Sequence, residues 1–323
     1  MSLPHTPEFT QFSKKFDNKC KIFCGLLTSC IFLLALFAGR ARIEAVESLV
    51  RQEQYTTTVV SGYWNNNSNP YAIFTMVSSA DYVVGANVLL FSIKKFLPSH
   101  LKTQVDFVAL LIHEHADNDV VVARLRGWRI FYTHLIKPAR DSDVPFYRFK
   151  EQFTKLVLWN MTTFTRVLYM DCDTLAVGDV SPLLTLPTKP FAAVRDWEHG
   201  SLQDHFNMGV CSLAPNNTEF LFLEQQRLTK RNYRLGMAEQ GLLNAIFEHD
   251  YHEYGFEYNG NLAAAVQNHS FWSEHLGSLR VIHYTWIKPF DDRRLSHPDY
   301  QVCKDALKLW WRSKSEMDRE RAR

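Results

Sequence analysis

The apolar run RVLYMD (166–171) reads as a β-strand and closes on Asp171-Cys172-Asp173. Residues two apart in a strand point to the same side, so both carboxylates leave the strand together. They do so at a carboxyl-terminal strand edge, where open α/β sheets bind their ligands. Two carboxylates sharing a site repel unless a cation joins them, and hard oxygen ligands suit manganese or magnesium. The pyrophosphate of a nucleotide-sugar would complete the shell of such a cation. A D-x-D pair recurs by chance about once in a chain of this size, so its place after an apolar strand and before Thr174 and Leu175 gives it weight. Two other polar clusters carry less. His113-Glu114-His115 with Asp117 has metal-like composition, but it falls in a polar loop with no distant partner and reads as solvated. Asp291-Asp292-Arg293-Arg294 reads as a self-compensated surface run.

From Tyr71 onward, short apolar runs alternate with amphipathic stretches. The spacing predicts strands at 71–77, 105–112, 128–136, 166–171, 191–196 and 208–214. Helices fall at 87–97, at 119–127 (ended by Gly127) and at 146–159, with a last one at 297–314. This alternation predicts an α/β fold with a mixed, largely parallel sheet and helices on both faces. Trp310 and Trp311 of the last helix are expected to pack onto the domain. The formal net charge of +2 argues against nucleic acid as a partner. Of six cysteines, Cys20, Cys24 and Cys30 lie in or beside one apolar segment. Cys172, Cys211 and Cys303 lack C-x-x-C spacing, which excludes a disulfide framework and a zinc site. A single Cys211–Cys303 bridge is conceivable, and three buried thiols are favoured over it.

Ile22–Ala38 carries no charge and is at the short end of what spans a bilayer as a helix. Lys14, Lys15, Lys19 and Lys21 precede it, and Arg40 and Arg42 behind it are countered by Glu44 and Glu47. The positive-inside bias places the N-terminus in the cytosol and the remainder in a lumen. No A-x-A cleavage site follows, so an anchor is preferred to a signal peptide. The expected plan is a cytosolic tail (1–21), a transmembrane anchor (22–38), a lumenal stem (39–69), a catalytic domain (70–290) and a C-terminal helix with a charged tail (291–323). A short span suits early secretory membranes, and the expected address is the Golgi membrane, as a single-pass type II protein. Sequons at Asn66, Asn160, Asn216 and Asn268 agree with a lumenal body. Asn66 is the best placed, whereas Asn160 falls in an expected helix.

Six segments, in order, resemble the glycogenin-like part of glycosyltransferase family 8 over roughly residues 71–290. They are FTMVSSADYVVGA, FTKLVLW, RVLYMDCDTL, FNMGV, EQGLLN and HYTWIKPF. The resemblance implies a GT-A-type fold, a UDP-sugar donor, manganese (or magnesium) dependence and retention of anomeric configuration. The acceptor is expected to be a glycan, a glycolipid or a polymer. Thr75 and Tyr82 correspond to the uridine-binding edge and stacking ring, and Lys155 to a lysine beside the donor phosphates. Asp171 and Asp173 match the metal motif, His283 at the end of the strand RVIH its third protein ligand, and Lys288 a pyrophosphate-binding lysine. Asn207 and Gly209 fit a sugar-binding turn, Asp196 a sugar hydroxyl-binding carboxylate, and Glu239 and Gln240 the surroundings of the reacting sugar. Retention by double displacement would draw its nucleophile from Asp196 or Glu239, and front-face attack, which needs neither, is preferred.

Two positions depart from the family pattern: Trp286 replaces a glycine, and Glu239 stands where an aspartate is usual. Trp286 keeps open the alternative of a catalytically silent sugar-binding or scaffold protein. Residues 261–279 contain no tyrosine of the kind self-glucosylating relatives use, so the acceptor is expected to be external.

Overall fold

The computed structural model describes residues 69–140, 144, 147–229 and 232–323, all within one compact unit, Thr57–Arg323. The expected tail, the anchor, the stem up to residue 68 and Asn66 lie outside the described residues. Among the described residues no helix is long and apolar enough to cross a membrane.

Among the described residues ten strands form two sheets. The larger uses β1 (Tyr71–Met76), β2 (Val105–Ile112), β3 (Arg129–Thr133), β4 (Arg166–Met170), β6 (Phe191–Glu198), β7 (Ser201–Leu213) and β8 (His252–Tyr254), in the order 3-2-1-4-7-6-8. β1 pairs in parallel with β2 and β4, and β2 with β3. β7 runs antiparallel to both β4 and β6, and β8 lies parallel to β6. The smaller sheet sets β10 (Val281–His283) between β5 (Thr174–Ala176) and β9 (Gly260–Asn261). The expected mixed, largely parallel sheet is therefore present, with its antiparallel part confined to β7.

The apolar runs of β1 and β2 become almost wholly buried strands, as in sheets covered on both faces. Alternation divides β1 between two cores. Ala72, Phe74 and Met76 pack with Phe153, Leu156 and Leu242. Ile73 packs on the other face with Leu89 and Ile93. The second layer comes from α1 (Val83–Phe96), which begins four residues before the expected helix at 87. Gly85 allows this: a Cβ there would stand 2.5 Å from the Cys172 carbonyl oxygen and 2.9 Å from the Phe290 ring. Only a glycine lets α1 press against the Asp-Cys-Asp turn.

Other boundaries differ from expectation for local reasons. The segment expected as one helix over 146–159 is an α-turn (Tyr147–Lys150) followed by a 3₁₀ helix, Glu151–Asn160. The helix before Gly127 ends at Arg124, and Gly127 (φ 77°) occupies a turn ahead of the shortened β3. β7 starts at Ser201 because its exposed first half continues a hairpin from β6 through His199 and Gly200, both left-handed. Helices not anticipated include α2 (Asn217–Thr229) and α3 (Ala238–Phe247). The last helix, α4, runs from Tyr300 to Arg321 and buries Cys303, Leu307 and Trp310. Trp310 is fully buried, and Trp311 lies under the Arg294 guanidinium, 4.5 Å from its ring centre. Both tryptophans pack onto the domain, as expected. Cys172, Cys211 and Cys303 are free and buried, so no Cys211–Cys303 bridge forms.

Candidate active site

Where β4 ends, the chain passes from the large sheet into the small one, and this passage builds the site. The Asp171 amide donates to the Gly209 carbonyl (2.8 Å), and the Thr174 amide and hydroxyl donate back to the Asp171 carbonyl at 3.0 and 2.7 Å. β5 then pairs antiparallel with β10, setting His283 opposite Thr174. A three-residue ladder thus carries His283 to two aspartates far from it in sequence. The His283 Nε2 atom lies 3.2 Å from Asp173 Oδ1 and 3.8 Å from Asp171 Oδ2. Gly209 makes room, since a Cβ at that position would overlap the His283 ring.

Two lysines hold these carboxylates. Lys288 Nζ makes a close ion pair with Asp173 Oδ2 and donates to the Tyr284 carbonyl at 2.7 Å. Burial works to raise the Asp173 pKa, but Lys288 and the His283 imidazole beside it hold that carboxyl well below the usual range. Lys155, only 2% exposed, sits between Asp171 Oδ1 (3.1 Å) and Glu239 Oε1 (3.2 Å), with Nζ 4.7 Å from the Tyr169 ring centre. Burial opposes its charge, yet Asp171 and Glu239 hold the ammonium above its ordinary pKa. Burial pushes the Glu239 carboxyl up despite Lys155. The Tyr169 hydroxyl donates to Asp171 Oδ1 at 2.6 Å.

A second polar group adjoins the first. Asp196 Oδ2 accepts from Gln240 (2.8 Å), and Oδ1 accepts from Asn207 (3.1 Å), the Trp197 amide (2.8 Å) and Asn261 (3.4 Å). Gln240 in turn accepts the Met208 amide at 3.0 Å.

A cavity of about 390 Å³ joins the two groups. Tyr82, Lys155, Asp171, Asp173, Asp196, Asn207, Gly209, Glu239, Gln240, His283 and Lys288 all line it. Thr75 does not: it is fully buried in β1, and its hydroxyl has no hydrogen-bond partner among the described residues. Its neighbours Met76 and Ser78 reach the cavity instead. Trp286 also stays out, being 41% exposed with its indole N–H donated to Asp299 Oδ2 at 2.8 Å. The bulk that replaces the usual glycine therefore stays outside the cavity lining.

The solvated reading of His115 is corrected. Its side chain is 16% exposed, and Nε2 lies 3.0 Å from Oε1 of Glu151, a residue that lines the cavity. Packing of the 3₁₀ helix over the loop after β2 shields it. Met237, Thr285 and Glu151 line the cavity without having been singled out, and Asn259 and Asn261 bond to residues that line it. The closely spaced asparagines of YNGN (258–261) were the only local trace of the last two.

The site meets the chemistry of a divalent cation. Asp171, Asp173 and His283 offer two carboxylate oxygens and an imidazole nitrogen within 4.8 Å of one another. Asp196, Glu198 and His205 fall within the same span, but the oxygens of Asp196 already accept N–H groups. The fold and site thus define an α/β protein with a carboxylate–imidazole centre at the carboxyl edge of its sheet. The profile of glycosyl transferase family 8 matches residues 73–293, and the chain belongs to that family.

Glycogenin of Neurospora crassa is 29% identical over 162 residues, covering 49% of this chain and 22% of that protein. Inositol phosphorylceramide glucuronosyltransferase 1 of Arabidopsis thaliana is 26% identical over 188 residues, covering 58% of this chain and 32% of that one. The chain thus spans between about a fifth and a third of the length of these curated relatives. The crystal structure of the glycosyltransferase GlyE of Streptococcus pneumoniae TIGR4 superposes with a TM-score of 0.53 at 20% identity, covering 79% of this chain and 63% of GlyE. The fold is a GT-A-like mixed α/β fold.

Proposed function

We propose that the protein transfers a sugar, with retention, from a UDP-sugar to an external carbohydrate or glycolipid acceptor, using a divalent metal held by Asp171, Asp173 and His283. The observation that carries this reading is the gathering of those three residues with Lys288 on one edge of a cavity. Manganese or magnesium, when bound, supplies positive charge against a diphosphate. Lys288 is placed to bind the departing diphosphate once a donor competes for its hold on Asp173. Lys155 fixes Asp171 from behind and keeps Glu239 at the cavity wall. Tyr82 offers an aromatic face for a base, its ring already packed edge-to-face on Phe290 at 5.4 Å.

The surroundings of Asp196 and Glu239 favour front-face attack. Asp196 is held by four N–H groups and Glu239 is paired with Lys155, and such partners lower the nucleophilicity of both carboxylates. The outward course of Trp286 favours an active enzyme over a silent sugar-binding scaffold. An external acceptor fits the absence of tyrosine from 261–279. The lumenal, glycosylated, type II Golgi arrangement rests on the apolar segment Ile22–Ala38, its flanking lysines and the four sequons.

The test is UDP release by the full-length, detergent-solubilised chain from UDP-glucose, UDP-galactose, UDP-N-acetylglucosamine and UDP-glucuronate, with and without manganese. Manganese-dependent release from at least one donor is expected. No release from any donor, together with no UDP binding, would reject the reading.

A further inference from the structure

The imidazole of His283 can serve a cation only through a nitrogen that carries no proton, and the structure shows what decides which nitrogen that is. The Gly209 amide can only donate, and it donates to Asn207 Oδ1 at 2.8 Å. Since that oxygen accepts, the Asn207 amide group faces the other way and donates to Asp196 Oδ1 at 3.1 Å. Asn207 Oδ1 also accepts from Asn259 Nδ2 at 3.0 Å, which turns the Asn259 oxygen toward His283 Nδ1, again at 3.0 Å. An amide oxygen cannot donate, so Nδ1 carries the proton and Nε2 is left facing Asp171 and Asp173. Asn259 and His283 are buried and Gly209 lies against the His283 ring, whereas Asn207 is half-buried where it lines the cavity.

We infer that Asn259 is a positioning residue that fixes the Nδ1–H tautomer of His283, through a relay anchored on the Gly209 amide and branching at Asn207 to Asp196. The inference rests on the reading that Asp171, Asp173 and His283 hold a divalent ion, and it assigns Asn207 a second task besides lining the cavity. Side chains that orient a ligating histidine govern metal affinity by about ten- to a hundredfold in general. The same relay ties the aspartate pair to Asp196 through His283, Asn259 and Asn207 in turn.

The test compares Asn259→Leu, which can neither accept nor donate, with Asn259→Asp, which can accept from Nδ1 but cannot donate to Asn207. Two readouts are taken on the full-length chain: the His283 tautomer by nitrogen-15 NMR of histidine-labelled protein without metal, and manganese affinity by calorimetry. Wild type should show Nδ1 protonated and Nε2 free. Asn259→Asp should keep that tautomer and bind manganese within about threefold of wild type. Asn259→Leu should mix the tautomers and bind at least tenfold more weakly, with circular dichroism confirming its fold.

A folded Asn259→Leu protein with wild-type tautomer and affinity would overturn the inference. So would equal weakening in both variants, because loss of packing alone predicts that result. Should Asn259→Leu not fold, Asn259→Asp decides by itself: a lost Nδ1–H tautomer overturns the relay, and a retained one supports it. If wild type holds the Nδ1–H tautomer yet binds no manganese, the metal reading fails and the relay stands.

Discussion

Two clusters in this molecule contain aspartate and histidine atoms within 4.8 Å of one another, yet they are suited to opposite tasks. In Asp171, Asp173 and His283, the carboxylates face lysines and an imidazole, partners that a cation or a diphosphate can displace. In Asp196, Glu198 and His205, the central carboxylate is enclosed by four N–H groups, and Arg234 covers Glu198 at 3.2 Å. Residue type and proximity are the same in both. What the oxygens already hold decides which cluster is open to a ligand. Exchangeable charges leave a site, whereas fixed amides leave a wall.

The sharpest way to break this contrast is to remove a buried cation that holds the first cluster. Lys155→Met strands Asp171 and Glu239 without their shared cation. Breaking a buried ion pair from one side costs about 3–5 kcal/mol, read as a lower denaturation midpoint. Its pH dependence has a definite sign. Burial already raises the Glu239 pKa, and losing Lys155 raises it further. An acid whose folded pKa lies above its unfolded value destabilises the fold above that pKa and is relieved as pH falls through it. The penalty should therefore be larger at pH 8 than at pH 5, and a penalty larger at pH 5 would count against the pair.

Asp173→Asn keeps the side-chain shape and removes the charge. It should lower turnover on the order of a hundredfold or more while circular dichroism stays unchanged. Wild-type manganese-dependent UDP binding in that variant would remove Asp173 from the metal set.

His115→Ala unhooks Glu151 at the cavity mouth. A partly shielded pair of this kind contributes about 0.5–1 kcal/mol, which denaturant titration can resolve. Smallest of all, Glu198→Gln should leave manganese affinity within about twofold of wild type, as expected for a half-buried carboxylate already paired with Arg234 and outside the metal set. A tenfold loss there would erase the distinction between the two clusters.

The carboxylates of the first cluster were legible because they follow a long apolar strand, and two-residue spacing at its end carries directional information. His283 was legible only through family resemblance. The strands that bring it in, β5 and β10, have three residues each and are too short to show a period. Asn259 left only the trace of closely spaced asparagines, since its role exists in the bonds to Asn207 and His283.

Thr75 shows a different limit. The strand was read correctly, but its buried face took Thr75, and the cavity received Met76 and Ser78 from beyond it. His115 was misjudged because shielding by Glu151 is a tertiary event between segments 36 residues apart. Lys155 was assigned to an ordinary helix, whereas a 3₁₀ helix presents it. Six strands of the large sheet were legible, since strands buried on both faces must be written as unbroken apolar runs, whereas the three-residue β8 showed no such run.

The three-rung ladder between β5 and β10 also governs the order in which the molecule comes into being. During synthesis Asp171 and Asp173 emerge long before His283 and Lys288, and a ribosome adds roughly 5–20 residues per second. For several seconds the nascent chain carries the acidic half of its centre without the imidazole or the ammonium. α1 must likewise wait for α4, which packs against it from the far end of the sequence. Contacts of such long range are the last to form, so completion of the centre and closure of the domain are one late event. A chain cut short before residue 281 therefore lacks a finished fold as well as a finished site.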